Sequence, residues 1–285
     1  MIITEKVPVD KLSVIAADID GTLALKGGDL MPKTREMLQE LHCQGILFGV
    51  ATGRPMDRRI LAMAEKWGLG FEFDFAIGMN GGDLYNRETG VVEHYFQLKK
   101  EDVRTIIGTI ADLELNAIVY VNGYDQIRAL HMDEFLRDSQ QRNKSIVEIC
   151  DTDFVSEFDT GKIEVHLKPA AMPEFLERTA SLKSDRWNMI KTFEGFNHVT
   201  IEFIDPHVDK GLALRKFSEV NGIPLSEIMT FGDQDNDIAL LEAASWGVCL
   251  KNGSDPTKAG AQAVTEYGVE EDGVGRYLET WLVSR

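Results

Sequence analysis

The chain has 285 residues, 44% hydrophobic and 27% charged, the composition of an ordinary globular protein; at about 150 residues per domain it should hold one large domain or two modest ones. Its 30 lysines and arginines face 47 aspartates and glutamates, a formal charge of −17, which repels nucleic acid and anionic membrane surfaces and obliges any site for a small anion to supply its own cations or a metal. Cys43, Cys150 and Cys249 fall in no disulfide or metal-ligand pattern, no stretch is apolar for the ~20 residues of a membrane helix, and the first residues show no leader pattern, so a cytoplasmic protein is expected.

Residues 13–17 form an apolar, β-branched run that ends at Asp18, Asp20 and Gly21, which predicts a buried strand with carboxylates at its tip. Residues 32–44 carry Pro32 and Thr34 near a start, Met37, Leu38 and Leu41 at helical spacing, and Gly45 as a stop. A second strand, 46–51, ends at Thr52, Gly53 and Arg54; a helix is predicted over 55–67, and a third strand, 73–77, precedes Asn80, Gly81 and Gly82. Alternating helices and near-continuous apolar strands predict an α/β fold: a Rossmann-like parallel sheet with helices on both faces, whose ligands collect at the carboxyl ends of the strands.

After Lys210 the pattern resumes: a helix over 210–220, a strand over 227–231 closed by Gly232 and Asp233, a helix over 236–244 and a last strand over 248–250. The roughly 120 residues in between exceed the dozen that a crossover needs. The expected division is a core of 1–84 and 206–285 with an inserted α+β domain over 85–205. Within the insert, strands are predicted at 118–121, 126–130, 163–168 and 198–204 and helices at 100–113 and 171–182, as a small antiparallel sheet with helices.

Asp18-Ile19-Asp20-Gly21-Thr22-Leu23 places two carboxylates one residue apart, a pair that also occurs in helix-capping loops and in the metal sites of sugar-nucleotide transferases. Thr52 with Gly53, Lys210, and the Gly232–Asp237 segment GDQDND fall, like that pair, at predicted strand ends or helix starts on one edge of the sheet. Each alone has a structural reading: Asp237 and Asn236 suit helix caps and Thr52 with Gly53 a turn. Together, and in this order, they supply what phosphoryl transfer needs. One carboxylate can attack phosphorus, a second can protonate the leaving alkoxide, and an ammonium with a divalent cation can offset the charge. An all-oxygen donor set favours Mg²⁺ over zinc.

With these motifs the chain resembles the haloacid dehalogenase superfamily, in its Cof-type, sugar-phosphatase-like branch. The resemblance runs end to end, through the insert between Thr52 and Lys210 and the late EEDGVGRYLE stretch near 270–279. It implies Asp18 as nucleophile and Mg²⁺ ligand, and Asp20 as general acid and base whose backbone carbonyl also reaches the metal. It further implies Thr52, with Gly53, and Lys210 as phosphate-binding groups, Asp233 as a metal ligand, Asn236 at the phosphate, Asp237 in support, and Asn80 and Gly81 in a loop beside the site. One departure is the last strand, where Val248, Cys249 and Leu250 lead into Lys251, Asn252 and Gly253 rather than a Gly-Asn-Ala type loop. Arg54 is expected to be an ion-pairing residue, the six histidines and four tryptophans packing residues, and Arg128, His131 and Lys168 the insert's candidates for substrate contact.

The expected function is thus a Mg²⁺-dependent phosphatase for a small phosphorylated metabolite, a sugar phosphate or similar phosphomonoester, through an aspartyl-phosphate, with the insert acting as a specificity cap. The alternatives are a phosphosugar mutase on the same core and a non-catalytic sugar-phosphate sensor; a glycosyltransferase leaves Lys210 and GDQDND unexplained. No nucleic acid, membrane or obligate protein partner is implied.

Overall fold

The computed structural model describes residues 11–182 and 184–284; the first ten residues, on which the leader expectation falls, lie outside them. Every residue of the first strand, β1 (Val14–Asp18), is buried, because parallel neighbours flank it on both sides. Those neighbours are β2 (Leu47–Ala51), with Asp18 opposite Ala51, and β12 (Ile228–Gly232), with Ala17 opposite Phe231. Their near-continuous apolar runs are what a sheet covered on both faces demands.

The chain forms two compact units, residues 1–93 with 209–285, and residues 94–208. The first unit opens with β1, α1 (Pro32–Cys43), β2, α2 (Arg58–Leu61), α3 (Met63–Lys66), β3 (Phe75–Gly78), β4 (Asp83–Asn86) and β5 (Val91–His94). It resumes with α8 (Lys210–Asn221), β12, α9 (Ile238–Ala243), β13 (Trp246–Cys249), α10 (Asp255–Gly260), β14 (Ala263–Val264) and α11 (Gly273–Val283). The strand order is β14-β13-β12-β1-β2-β3-β4-β5, parallel from β14 to β3, with β4 antiparallel to β3, and β5 at the edge.

Several local expectations change. Residues 85–93, expected in the insert, lie in the first unit because β4 pairs with β3 and β5 extends the sheet edge. The helix expected over 55–67 is two short ones, α2 starting only after Asp57, whose side chain accepts the Arg59 N–H as its cap. The start of α1 has no cap of its own; Asp272, just before α11, accepts hydrogen bonds from the Lys33 and Thr34 amides and the Thr34 hydroxyl at 2.5–2.9 Å. Such a cap is worth about 1 kcal/mol, and here it ties the two ends of the unit together.

The second unit contains α4 (Lys100–Ile110), β6 (Leu115–Asn122), β7 (Gln126–Ala129), α5 (Glu134–Asn143), β8 (Ile146–Ile149), α6 (Thr152–Val155), β9 (Lys162–Leu167), α7 (Met172–Thr179), β10 (Asn188–Glu194) and β11 (Val199–Ile204). Its strand order is β10-β11-β9-β6-β7-β8, antiparallel as expected except for the parallel pair β7 and β8, which α5 connects. The two-residue period of β9 divides its side chains. Ile163, Val165 and Leu167 enter a core with Ile106, Ile107 and Phe203, while Lys162, Glu164 and His166 take the opposite face.

That face carries a chain of ion pairs. Lys162 donates to Glu202 at 2.6 Å and lies 3.3 Å from Glu164; His166 spans Glu164 (Nε2, 2.8 Å) and Asp133 (Nδ1, 3.0 Å). Burial alone would depress the His166 pKa, but the carboxylates of Asp133 and Glu164 raise it from 6.5 to about 9. A folded-state pKa above the unfolded one means stability that is complete below about pH 6.5 and lost as pH rises through about 9. Amides of Lys162–Leu167 should therefore lose protection worth roughly 3 kcal/mol between pH 6 and pH 10, and His166→Gln should flatten that slope. Hydrogen exchange measures both, and equal slopes in the two proteins would refute the assignment.

Candidate active site

The parallel topology delivers the chemistry-bearing residues to one edge of the first unit's sheet. Asp18 is the last residue of β1, Thr52 follows β2, Asn80 lies just past β3, and Asp233 follows β12. Lys210 opens α8, after Asp209 caps it by accepting the Leu212 N–H. Asp237 closes the turn at 235–237, where its carboxylate accepts the N–H groups of Asp233 (2.9 Å) and Gln234 (3.0 Å).

The Lys210 side chain is completely buried, and its ammonium donates to Asp18 and Asp237 at 2.6 Å each. Burial would lower its pKa, but the two carboxylates hold it above the ordinary lysine value. Asp18 is pushed the other way: burial raises its carboxyl to about 8, against the pull of Lys210 and with further upward pressure from Asp237 and Asp233. Burial likewise raises Asp233, although Gln234 and Thr22 donate to its two oxygens at 3.0 and 2.8 Å.

Oxygens of Asp18, Asp233 and Asp237 lie within 4.8 Å of one another. Three carboxylates thus share one ammonium; fully ionised they carry two negative charges in excess, the charge that a divalent cation would neutralise. The donor set is all oxygen and buried, which fits a hard cation. Asp20 is not in this cluster. Its carboxylate accepts a two-pronged pair from Arg54, at 3.0 Å from Nε and 2.6 Å from Nη2, so Arg54 is the ion-pairing residue expected of it.

Around the carboxylates a tight frame fixes the loops. A Cβ on Gly21, whose φ is +97°, would fall 2.4 Å from the Asp233 carboxylate, and one on Gly81, at φ +109°, 2.0 Å from the Asp209 carbonyl oxygen. Both positions require glycine, for the backbone angle and for the close approach. Asn236 donates to the Asn80 side-chain oxygen at 2.9 Å, and a Cβ on Gly53 would stand 2.9 Å from that same oxygen, so Asn80, Asn236 and Gly53 are neighbours. The Thr52 hydroxyl is buried and accepts the Arg54 N–H at 3.2 Å.

Three supporting residues were not singled out from the sequence: Thr22 and Gln234, which orient Asp233, and Asn252, whose amide donates to the Gly21 carbonyl at 2.9 Å and whose oxygen accepts the Val269 N–H. Thr22 and Gln234 adjoin Asp-rich motifs, which was the available signal; for Asn252 it was the place in the loop after the last strand, which stood out only as a departure.

The family model for haloacid dehalogenase-like hydrolases matches residues 15–278. The chain is 27% identical over 270 residues, 94% of its length and 97% of the relative's, to the 5-amino-6-(5-phospho-D-ribitylamino)uracil phosphatase YitU of Bacillus subtilis. In fold it is similar to a haloacid dehalogenase-like hydrolase of Bacteroides thetaiotaomicron, with a TM-score of 0.81, 23% identity and coverage of 95% and 99% of the two chains. It is similar also to a sugar phosphatase of subclass IIB of the superfamily, with a TM-score of 0.77, 20% identity and coverage of 95% and 99%. The chain belongs to the haloacid dehalogenase-like hydrolase family. That family is one of hydrolases, and several of the relatives similar to this chain are named phosphatases.

Replacing Lys210 by Met would leave Asp18 and Asp237 buried without their cation. Urea unfolding in a chelator at pH 8 should show a loss of about 3–5 kcal/mol, shrinking on acidification as the orphaned carboxylates take up protons. A loss below about 1 kcal/mol would mean that the ammonium is not the partner that keeps them buried.

Proposed function

We propose that this protein is a Mg²⁺-dependent phosphatase of small phosphorylated metabolites, sugar phosphates or similar phosphomonoesters, working through an aspartyl-phosphate on Asp18. The observation that carries this reading is the buried Lys210 ammonium held between Asp18 and Asp237, in a cluster where three carboxylates outnumber the one ammonium. A nucleophilic carboxylate must be ionised and aimed; the Lys210 hydrogen bond supports both, opposing the burial that raises the Asp18 pKa.

In this reading one oxygen of Asp18 attacks phosphorus, and the bond to the leaving alkoxide breaks. Asp20 gives the alkoxide its proton and later takes one from the water that attacks the aspartyl-phosphate, regenerating Asp18 and releasing phosphate. Arg54, paired with Asp20, holds that carboxyl in orientation. Thr52, the Gly53 backbone, Lys210, Asn80 and Asn236 position the phosphoryl oxygens. Mg²⁺ would be held by Asp18 and Asp233 and the Asp20 carbonyl, with Asp237 in support; when bound it supplies positive charge against the phosphoryl group and Asp18. The related uracil-compound and sugar phosphatases support a small phosphorylated substrate. Three cysteines without disulfide partners suit a cytoplasmic setting.

A panel of phosphomonoesters should be hydrolysed with Mg²⁺, EDTA should abolish turnover, and Ca²⁺, larger and satisfied by more ligands, should restore little of it. Activity undiminished in EDTA would overturn the metal assignment. Asp20→Asn should slow alkyl phosphates by about 10²–10⁴-fold and an activated aryl phosphate far less, since only a poor leaving group needs the proton. Equal losses on both would remove Asp20 from the acid role.

A further inference from the structure

At one end of the second unit's sheet, the start of β6, the start of α5, the end of β9 and the β10–β11 turn enclose a cavity of about 680 Å³, within the ~300–1,000 Å³ of small-molecule sites. It lies wholly within residues 114–198, and none of the residues assigned to phosphoryl transfer lines it. Its walls are aromatic and aliphatic. Phe135 stacks on His198 with ring centroids 3.4 Å apart and planes 25° from parallel. Phe196, in the β10–β11 turn, is 97% exposed, the most exposed large apolar side chain among the described residues. Leu115, Leu167, Pro169 and Ala170 complete the apolar lining.

The polar groups narrow the chemistry. Both ring nitrogens of His166 are taken by Asp133 and Glu164, so its charge is matched and it offers no donor to the cavity. Asn116 is taken up on both sides, donating to Asp133 and to the His131 carbonyl and accepting the His131 N–H. Lys168 is held by Glu114 at 2.8 Å. Both cations of the lining are therefore neutralised by carboxylates, Lys168 by Glu114 and His166 by Asp133 and Glu164, and a phosphate or carboxylate ligand would find no free cation there and would meet the unpaired carboxylate of Glu134. Glu134, exposed at the first turn of α5, makes no hydrogen bond to another described residue and remains an acceptor. Aromatic faces select a flat ring over a polyol, and an open carboxylate selects an N–H donor.

We propose that this cavity binds a flat, uncharged heteroaromatic ring bearing an amino group, with the ring face against Phe135 and Phe196 and the amine on the Glu134 carboxylate. The ring can be part of the phosphorylated substrate or a separate, unphosphorylated ligand. Either way, the site stands on the cavity and not on the phosphatase reading.

The test is titration calorimetry of the full chain with cytidine and adenosine, which carry the amine, against uridine and inosine, which carry a carbonyl in its place, and ribitol as the polyol. Cytidine and adenosine should bind more tightly than their oxo counterparts, and ribitol should not bind. Phe196→Ala and Phe135→Ala, at side chains wholly or partly exposed and with folding checked by circular dichroism, should weaken cytidine at least about fivefold, the scale of a lost base-stacking contact. Glu134→Gln should erase the preference for cytidine over uridine. The proposal is overturned by absence of amino-nucleoside binding up to about 5 mM, by equal binding of amino and oxo rings, or by wild-type affinity in both phenylalanine variants. The sources separate kinetically: if Phe196→Ala lowers kcat/KM for cytidine monophosphate more than for glucose 6-phosphate, the ring belongs to the substrate, and an equal effect makes it a separate ligand. If no phosphate ester turns over while cytidine still binds, the phosphatase reading alone fails.

Discussion

A lysine ammonium withdrawn entirely from water is tolerable only if anionic oxygens replace its hydration, and at Lys210 two of them do so at 2.6 Å. Those oxygens come from Asp18 at the end of β1 and Asp237 in the turn after β12, so one side chain joins segments 192 and 27 residues away in sequence. The surroundings are shaped to deliver that contact. Gly81 lets the loop after β3 press against the Asp209 carbonyl at the start of α8, and Gly21 clears space for the Asp233 carboxylate. Asp237 does double duty, fixing the ammonium with one oxygen and the 233–234 backbone with the other.

The two units handle buried charge differently. In the second, Lys162 and His166 alternate with Glu202, Glu164 and Asp133, so each cation lies between two carboxylates and every member is paired within the set. Such a closed set has little left to offer a ligand, which is why the neighbouring cavity is read through its aromatic walls and the single open carboxylate of Glu134. In the first, three carboxylates share a single ammonium, a larger imbalance, and burial together with the neighbouring carboxylates shifts Asp18 and Asp233 upward. An imbalance of that kind, costly to the fold, is what the proposed function assigns to an external cation. It also answers the difficulty posed by a net charge of −17, since long-range repulsion of an anion is overcome only by positive charge at the site itself.

Much of the core was legible because buried parallel strands announce themselves as unbroken apolar runs, and their carboxyl ends are where polar residues such as Asp18, Thr52 and Asp233 stand out. What escaped was set by non-local contacts or by exposure. Thr34 looks like a local start signal for α1, yet the cap comes from Asp272, 238 residues away. β10 is exposed at every position and β8 shows Ile146 and Ile149 to solvent, so neither has the alternation that identifies a strand with one buried face. Residues 55–67 have helical periodicity, but the Asp57 cap and the break at Ala62 divide them, a decision made by local hydrogen bonds rather than by pattern. Arg54 could be named as an ion-pairing residue from sequence, but its partner, Asp20, could not be deduced without the fold that brings β1 and β2 side by side.

The central claim is that Asp18 itself becomes phosphorylated. Acid quench of the enzyme in mid-turnover with a phosphomonoester and Mg²⁺, followed by borohydride, reduces an acyl-phosphate to an alcohol and leaves a free carboxylate untouched. Peptide mass spectrometry should find homoserine at position 18 and aspartate at positions 20, 233 and 237. Recovery of unmodified Asp18 under conditions of demonstrated turnover, or reduction at one of the other carboxylates, would contradict the account.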